Sequence, residues 1–222
     1  MRKLLLFSLL FSAALYNRAE AQTGSDQEPR FHFGLKVSPF MTWIKPDVNQ
    51  IERESRNFGF GYGVQTEFRL HRNYVLSSGL QISYRGGQLI ADNIPPVQDS
   101  MKSFTLQYVE VPLTLKMLTS KFNKIRFYGE FGISPGLNIR AKSDPVFRGD
   151  ENIKDYIKPL NLNMIIGGGI EYTLSGSTVF FTEVEFNNGF LNVFNSKSDV
   201  IFDRNKLKGV SNYLGMNFGI LF

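Results

Sequence analysis

The chain has 222 residues, a formal net charge of +5 and no cysteine, which excludes disulfides and a thiolate metal centre. Its basic residues are scattered rather than clustered, so the sequence indicates no nucleic-acid partner. Beyond the first residues no apolar run is long enough for a bilayer-spanning helix, yet the chain holds 21 Phe, 9 Tyr and 20 Gly. That composition favours strands over helices as the membrane-crossing element.

Arg2 and Lys3 precede an apolar run from Leu4 to Tyr16, which ends near Ala19-Glu20-Ala21. A basic start, a short apolar stretch and a small-x-small site describe a secretory signal peptide over residues 1–21. The run is shorter than the roughly 20 residues that a membrane anchor requires. With no cysteine at the cleavage site, a lipoprotein is excluded. Residues 22–30 are polar and aperiodic and read as a periplasmic lead-in.

From Phe31 a period of two begins and continues to Phe222. Phe31, Phe33, Leu35, Val37 and Met41 share one face of the first strand, opposite His32, Gly34, Lys36 and Ser38. After a polar segment from Ile44 to Arg56, the second strand alternates Phe58, Phe60, Tyr62, Val64, Thr66, Phe68 and Leu70 with glycines, Gln65, Glu67 and Arg69. His71-Arg72-Asn73 turns the chain into a third strand, Tyr74 to about Arg85, and a long loop runs from Gly86 to Ser103.

The fourth strand starts at Phe104 and contains Tyr108-Val109-Glu110-Val111-Pro112-Leu113-Thr114-Leu115-Lys116. Its odd positions are apolar and its even ones mostly polar, the mark of a strand with one oily face. Residues 119–124 turn into a fifth strand, Ile125 to Arg140, with residues 141–159 as the next long loop. The sixth strand spans Leu160 to Leu174 and the seventh Thr178 to about Phe190, joined tightly by Ser175-Gly176-Ser177. Residues 192–208 are polar, and the last strand runs to Phe222.

Gaps after the second, fourth and sixth strands are short, and those after the first, third, fifth and seventh are long. This is the layout of an all-β, eight-stranded antiparallel up-and-down transmembrane barrel over residues 31–222, with periplasmic turns and four long extracellular loops. Aromatics gather at strand ends, Phe31, Phe68, Tyr74, Tyr172 and Phe222 at one end and Trp43, Phe58, Tyr84, Phe104 and Phe190 at the other, as two interfacial girdles would. A soluble lipocalin-like barrel would use the same alternation with the oily face inward. The loop asymmetry and the terminal Phe222 favour the membrane arrangement, with lipid against the apolar face.

An eight-stranded barrel is just wide enough to be filled by its own side chains. The charged face therefore forms a luminal set: Glu67, Glu110, Glu130, Glu171, Glu183 and Glu185 against Lys36, Arg69, Arg85, Lys116, Arg126 and Arg140. Six acids facing six bases satisfy the requirement that buried charges be paired. This set either plugs the lumen or lines a pore.

No cofactor, metal or catalytic site is assigned. The glycine clusters at 59–63 and 167–169 open no helix, as a phosphate cradle must. A hydrolase would want a histidine base, and both histidines, His32 and His71, belong to the periplasmic end. Glu183 and Glu185 could form an acid pair, but two acids at i, i+2 on a strand also suit a plug. In the loops, Trp43, Ile44, Ile94, Phe147 and Phe202 place apolar groups among polar ones. Such residues either contact a partner protein or pack on one another.

The segments Tyr108 to Lys116, Phe127-Tyr128-Gly129-Glu130-Phe131-Gly132 and Gly167-Gly168-Gly169-Ile170-Glu171-Tyr172, with the terminal strand ending in Phe222, resemble the PorT-like outer-membrane β-barrels of Bacteroidetes. The resemblance covers the mature chain. It implies a non-enzymatic outer-membrane protein with envelope or secretion-system proteins as partners; the founding member resembles a component of type IX secretion. A small porin-like or ligand-binding barrel is the second reading, and an outer-membrane hydrolase the third.

Overall fold

The computed structural model describes residues 29–46, 51–55, 57–91, 100–144, 151–195 and 209–222. The signal peptide, most of the lead-in, and the loop residues Ile94, Phe147 and Phe202 lie outside the described residues. The strands are β1 (Phe31–Pro46), β2 (Ile51–Ser55), β3 (Asn57–His71), β4 (Tyr74–Ala91), β5 (Ser100–Glu110), β6 (Leu113–Leu118), β7 (Ile125–Asp144), β8 (Glu151–Asn152), β9 (Leu160–Ser175), β10 (Thr178–Gly189) and β11 (Gly209–Leu221).

Pairing is antiparallel throughout and closes on itself. From β1 it passes to β3 and β4, then to β5 and β6 end to end, then to β7, β9, β10 and β11, and β11 returns to β1. Eight staves therefore form a ring, the fourth built from β5 and β6. Closure matters because hydrocarbon offers no hydrogen bonds, so every backbone N–H and C=O inside it must find a partner within the protein. The β1–β11 seam keeps one register from Gly34 opposite Leu221 to Pro46 opposite Gly209, with a two-residue gap at Ser38-Pro39.

The two faces fall as a membrane barrel requires. Phe33, Leu35, Val37, Phe60, Tyr62, Leu80, Phe131, Ile133, Leu137, Ile166 and Val184 are exposed on the outside, and Phe58 reaches 77 % exposure. The alternate positions are buried and polar or charged. A soluble barrel with an oily interior is thereby ruled out, because outside and inside are exchanged.

The short turns lie together at one end. Asn123 takes a left-handed φ of 59° and Gly176 one of 57°, conformations that a short polar side chain or none at all tolerates best. Asn73 braces the neighbouring turn, its Nδ2 donating to Leu118 O at 2.7 Å.

Three features depart from the sequence expectation. First, the staves are longer at the loop end: β1 reaches Pro46 instead of Met41, β4 reaches Ala91 instead of Arg85, and β2 pairs with the end of β4 inside the expected 44–56 loop. Toward the loop end the inner face becomes apolar and buried, as at Ile44, Leu106 and Ala141, so the ladder continues while the polar-apolar alternation fades.

Second, the fourth stave breaks at Val111-Pro112. Proline has no N–H for the ladder, and the gap is bridged by Val111 N–H to Pro135 O (3.0 Å) and by Ser78 Oγ to Pro112 O (3.0 Å). Third, β5 and β7 slip at a bulge where Gln107 opposes Arg140 and Tyr108 opposes Asn138. The extra residue reverses the parity beyond it.

Strands approach closely where glycines face each other's backbone. A Cβ on Gly132 would stand 2.1 Å from Leu113 O and 2.6 Å from Thr114 Cα. Neither atom can move without opening the β6–β7 ladder. Gly132→Val is expected to cost about 1–3 kcal/mol, read as a lower urea midpoint of the barrel refolded in detergent. An unchanged midpoint would mean that the two strands do not approach this closely.

Candidate functional site

The candidate site is the lumen, whose side chains are stacked in layers from the turn end to the loop end. At the turn end, Val75, Leu118 and Tyr128 form a small apolar floor. Just above, Lys116 of β6 is fully buried (0 % exposed). Its Nζ donates to Glu67 Oε1 at 2.6 Å and Glu171 Oε1 at 3.0 Å and lies 4.1 Å from the Tyr128 ring centroid. Gln65 Nε2 donates to the same Glu67 oxygen at 2.9 Å. One ammonium thus holds two carboxylates from opposite sides of the ring, a cross-brace that three-residue spacing along one strand could not make.

The middle layer holds Glu130, Glu183 and Glu185, with one carboxylate oxygen of each lying within 4.8 Å of the others. They are not left to repel one another freely. Tyr128 OH donates to Glu183 at 2.9 Å, Asn217 Nδ2 donates to Glu183 at 2.9 Å and Glu185 at 2.6 Å, and Tyr213 OH donates to Glu185. Lys36 Nζ stands 3.9 Å from Glu185. Glu183 and Glu185 have their oxygens engaged by this ammonium and these donors, and Glu130 accepts from Thr114 Oγ1 at 3.4 Å.

In the upper layer, Arg85 is 1 % exposed and Glu110 2 %. Arg85 Nη2 donates to Glu110 Oε1 at 2.5 Å, and Ser83 Oγ and Asn163 Nδ2 reach the same carboxylate at 2.7 and 3.1 Å. The guanidinium lies between aromatic rings, 4.7 Å from the Tyr213 centroid and 5.4 Å from that of Tyr108. Phe40 stacks on Tyr213 with centroids 4.5 Å apart. Cation, carboxylate and rings together cross the lumen at this level.

Above this the lumen is apolar. Ile44, Leu106, Ala141, Ile153, Ile157, Val193 and Phe194 are all buried, forming a cap at the loop end. Segments between the staves supply half of it: Val193 N–H bonds Gly209 O at 2.9 Å, Ile153 N–H bonds Ala141 O at 3.2 Å, and Asn192 Oδ1 accepts from Gly209 N–H at 2.9 Å. Gly87 and Gly209 leave the room into which Ile44 packs.

The twelve charged residues expected inside divide into three groups. Lys36, Glu67, Arg85, Glu110, Lys116, Glu130, Glu171, Glu183 and Glu185 point into the lumen. Arg69 and Arg126 are half-buried at the turn-end mouth rather than in the interior. Arg140 is exposed on the outer face, a correction explained by the bulge, which turns a residue of luminal parity outward. The even balance of six and six therefore does not hold inside. Acids outnumber bases there, and tyrosine and asparagine donors make up the difference.

Two expected loop contacts also change. Ile44 lies on β1 at 2 % exposure, pointing inward, so it belongs to the cap and not to an exposed contact. Trp43, its outward neighbour on the same strand, stacks against Phe186 at 6.4 Å. Tyr108 and Tyr213 stand on the strand faces read as inward but were not singled out as anchors, and Phe181, 1 % exposed with its ring centroid 5.3 Å from Lys116 Nζ, was not assigned. Their signal was parity: each stands an even number of residues from a luminal glutamate or asparagine on its own strand. The cap residues 153–157 and 193–194 carry no period, and nothing local marks them.

An antiparallel ring with an ionised axis and an apolar exterior is a transmembrane β-barrel. Residues 20–195 match the family described as outer membrane protein beta-barrel domain, and the chain belongs to that family. Among solved structures, the outer membrane protein OprG from Pseudomonas aeruginosa is similar in fold: 10 % identity, TM-score 0.51, covering 88 % of this chain and 97 % of that one. Neisserial surface protein A shows 12 % identity and a TM-score of 0.49, covering 89 % of this chain and 100 % of that one. No curated protein matches the chain. Family and fold place the protein in the outer membrane of a Gram-negative bacterium, its apolar face in the bilayer.

Proposed function

We propose that the protein is a closed, non-enzymatic barrel that acts as an interaction and assembly component of the envelope, of the PorT-like kind that serves type IX protein secretion. The observation that supports this reading is the lumen's successive closure: Lys116 with its two carboxylates, Arg85 with Glu110 and its tyrosines, and the apolar cap. A path for solutes would need a continuous wet channel. Three layers with almost no exposed atoms leave the outside of the protein, not its axis, to do the work. Trp43 on the outer face and Ile94, Phe147 and Phe202 of the sequence-assigned loops are the proposed contact groups.

Two measurements test this. In planar bilayers the purified protein is expected to give no stable single-channel steps. Steps that disappear in Glu110→Gln would replace this reading with a porin-like one. In the source bacterium, deletion of the gene is expected to trap type IX cargo in the periplasm, and undiminished cargo export would remove the secretion assignment.

A further inference from the structure

We infer that the outer face of β7 at the loop end is a binding site for a phosphorylated lipid headgroup of the outer leaflet, held by Arg140 and Lys158 above an apolar step. The bulge that sets Gln107 opposite Arg140 and Tyr108 opposite Asn138 turns this arginine out of the lumen, and re-aiming a side chain is a common use of a bulge. Lys158 comes just before Pro159, whose carbonyl accepts from Asn138 N–H at 2.7 Å. It therefore stands beside Ile139 and Arg140, where the chain enters β9. Both cations are exposed. Neither forms an ion pair with a described residue, and Lys154 and Asp155 of the adjoining 3-10 turn offset each other in formal charge.

Like charges side by side on a sheet repel, and an anion between them removes that cost. The arginine fork grips a phosphate two-pronged, and the lysine adds a compact point charge. Tyr84 continues the same outward row: it pairs with Gln107 as Gln107 pairs with Arg140, and Gln107 Nε2 donates to its hydroxyl at 3.1 Å. Amphipathic rings of this kind settle at headgroup level.

Height in the membrane selects a lipid as the occupant. Ile133 is the middle of the outward run from Phe127 to Ile139, and Arg140 lies seven residues further along the strand. At about 3.3 Å per residue and a tilt of about 40°, allowing for the bulge, Arg140 stands roughly 15–18 Å above that middle, against about 12 Å for half of the apolar band. The two cations thus lie just outside the hydrocarbon. Beneath them Leu137 and Leu160, opposite each other in the ladder, and Ile139 are all exposed. Paired charge over an apolar step is the complement of a phosphate carried on acyl chains.

The site is independent of the secretion assignment. The full barrel, refolded in neutral detergent, is incubated with lipid A and separately with its dephosphorylated form, and bound lipid is counted by native mass spectrometry. The parent is expected to retain lipid A at least fivefold better than the dephosphorylated form. Arg140→Gln is expected to lose most of that preference and the double variant Arg140→Gln, Lys158→Gln all of it, while heat-modifiable gel mobility shows both folded. Lys124→Gln, exposed at the turn end, is expected to keep the preference. Equal retention of the two lipids by the parent would show a surface that is merely apolar. A preference that survives in the double variant, or falls as far in Lys124→Gln, would place the phosphate elsewhere; each of these results overturns the inference.

Discussion

Lys116→Met is expected to destabilise the folded barrel by about 3–5 kcal/mol, the cost of removing one partner from a buried ionic group. Methionine is close to lysine in length and leaves no large void, so the loss is electrostatic. Glu67 and Glu171 would then share the lower lumen without the ammonium that lies between them. Guanidinium unfolding from liposomes measures it. The triple change Lys116→Met, Glu67→Gln, Glu171→Gln is expected to regain most of the loss, because it removes the uncompensated charge along with the cation. Parent-like stability of the single variant would mean that water reaches this layer, and the closed-lumen reading would fall with it.

The second large effect concerns the exterior. Ile133 lies midway along the outward run Phe127, Phe131, Ile133, Leu137 and Ile139 of β7 and pairs with Leu113 and Met164. Ile133→Arg is expected to cost about 2–4 kcal/mol, as a guanidinium at the bilayer midplane does. The same substitution at Phe122, exposed in a periplasmic turn, is expected to cost about 0–1 kcal/mol near the interface. Equal costs at the two positions would show that the exterior does not face lipid.

The ring and its inside-out polarity were readable because the bilayer and the narrow lumen impose opposite solvents on alternate residues. Wherever both conditions hold, as from Phe58 to Leu70, parity alone assigns the face. Toward the loop end the inner face packs under an apolar cap instead of a charged lumen, so the contrast between alternate residues is lost, and there the reading shortened β1 and β4 and missed β2. Arg140 failed for a different reason. A bulge is a property of two strands in register, and neither Gln107 nor Asn138 marks it in the sequence. The charged layers were anticipated as a set but not as pairs, since which acid meets Lys116 depends on curvature around the ring. The apolar cap joins residues from β1, β5, β7 and two connecting segments, and only the closed ring brings them together.

The seam that pairs Gly34 with Leu221 has a consequence for biogenesis. The first stave cannot satisfy one of its two edges until the last has been translated, exported and delivered, so the rate is governed by contacts as distant in sequence as this chain permits. Until then every partial assembly carries two raw edges that any passing strand could capture. Those edges are expected to need shielding by a holding chaperone until the ring closes.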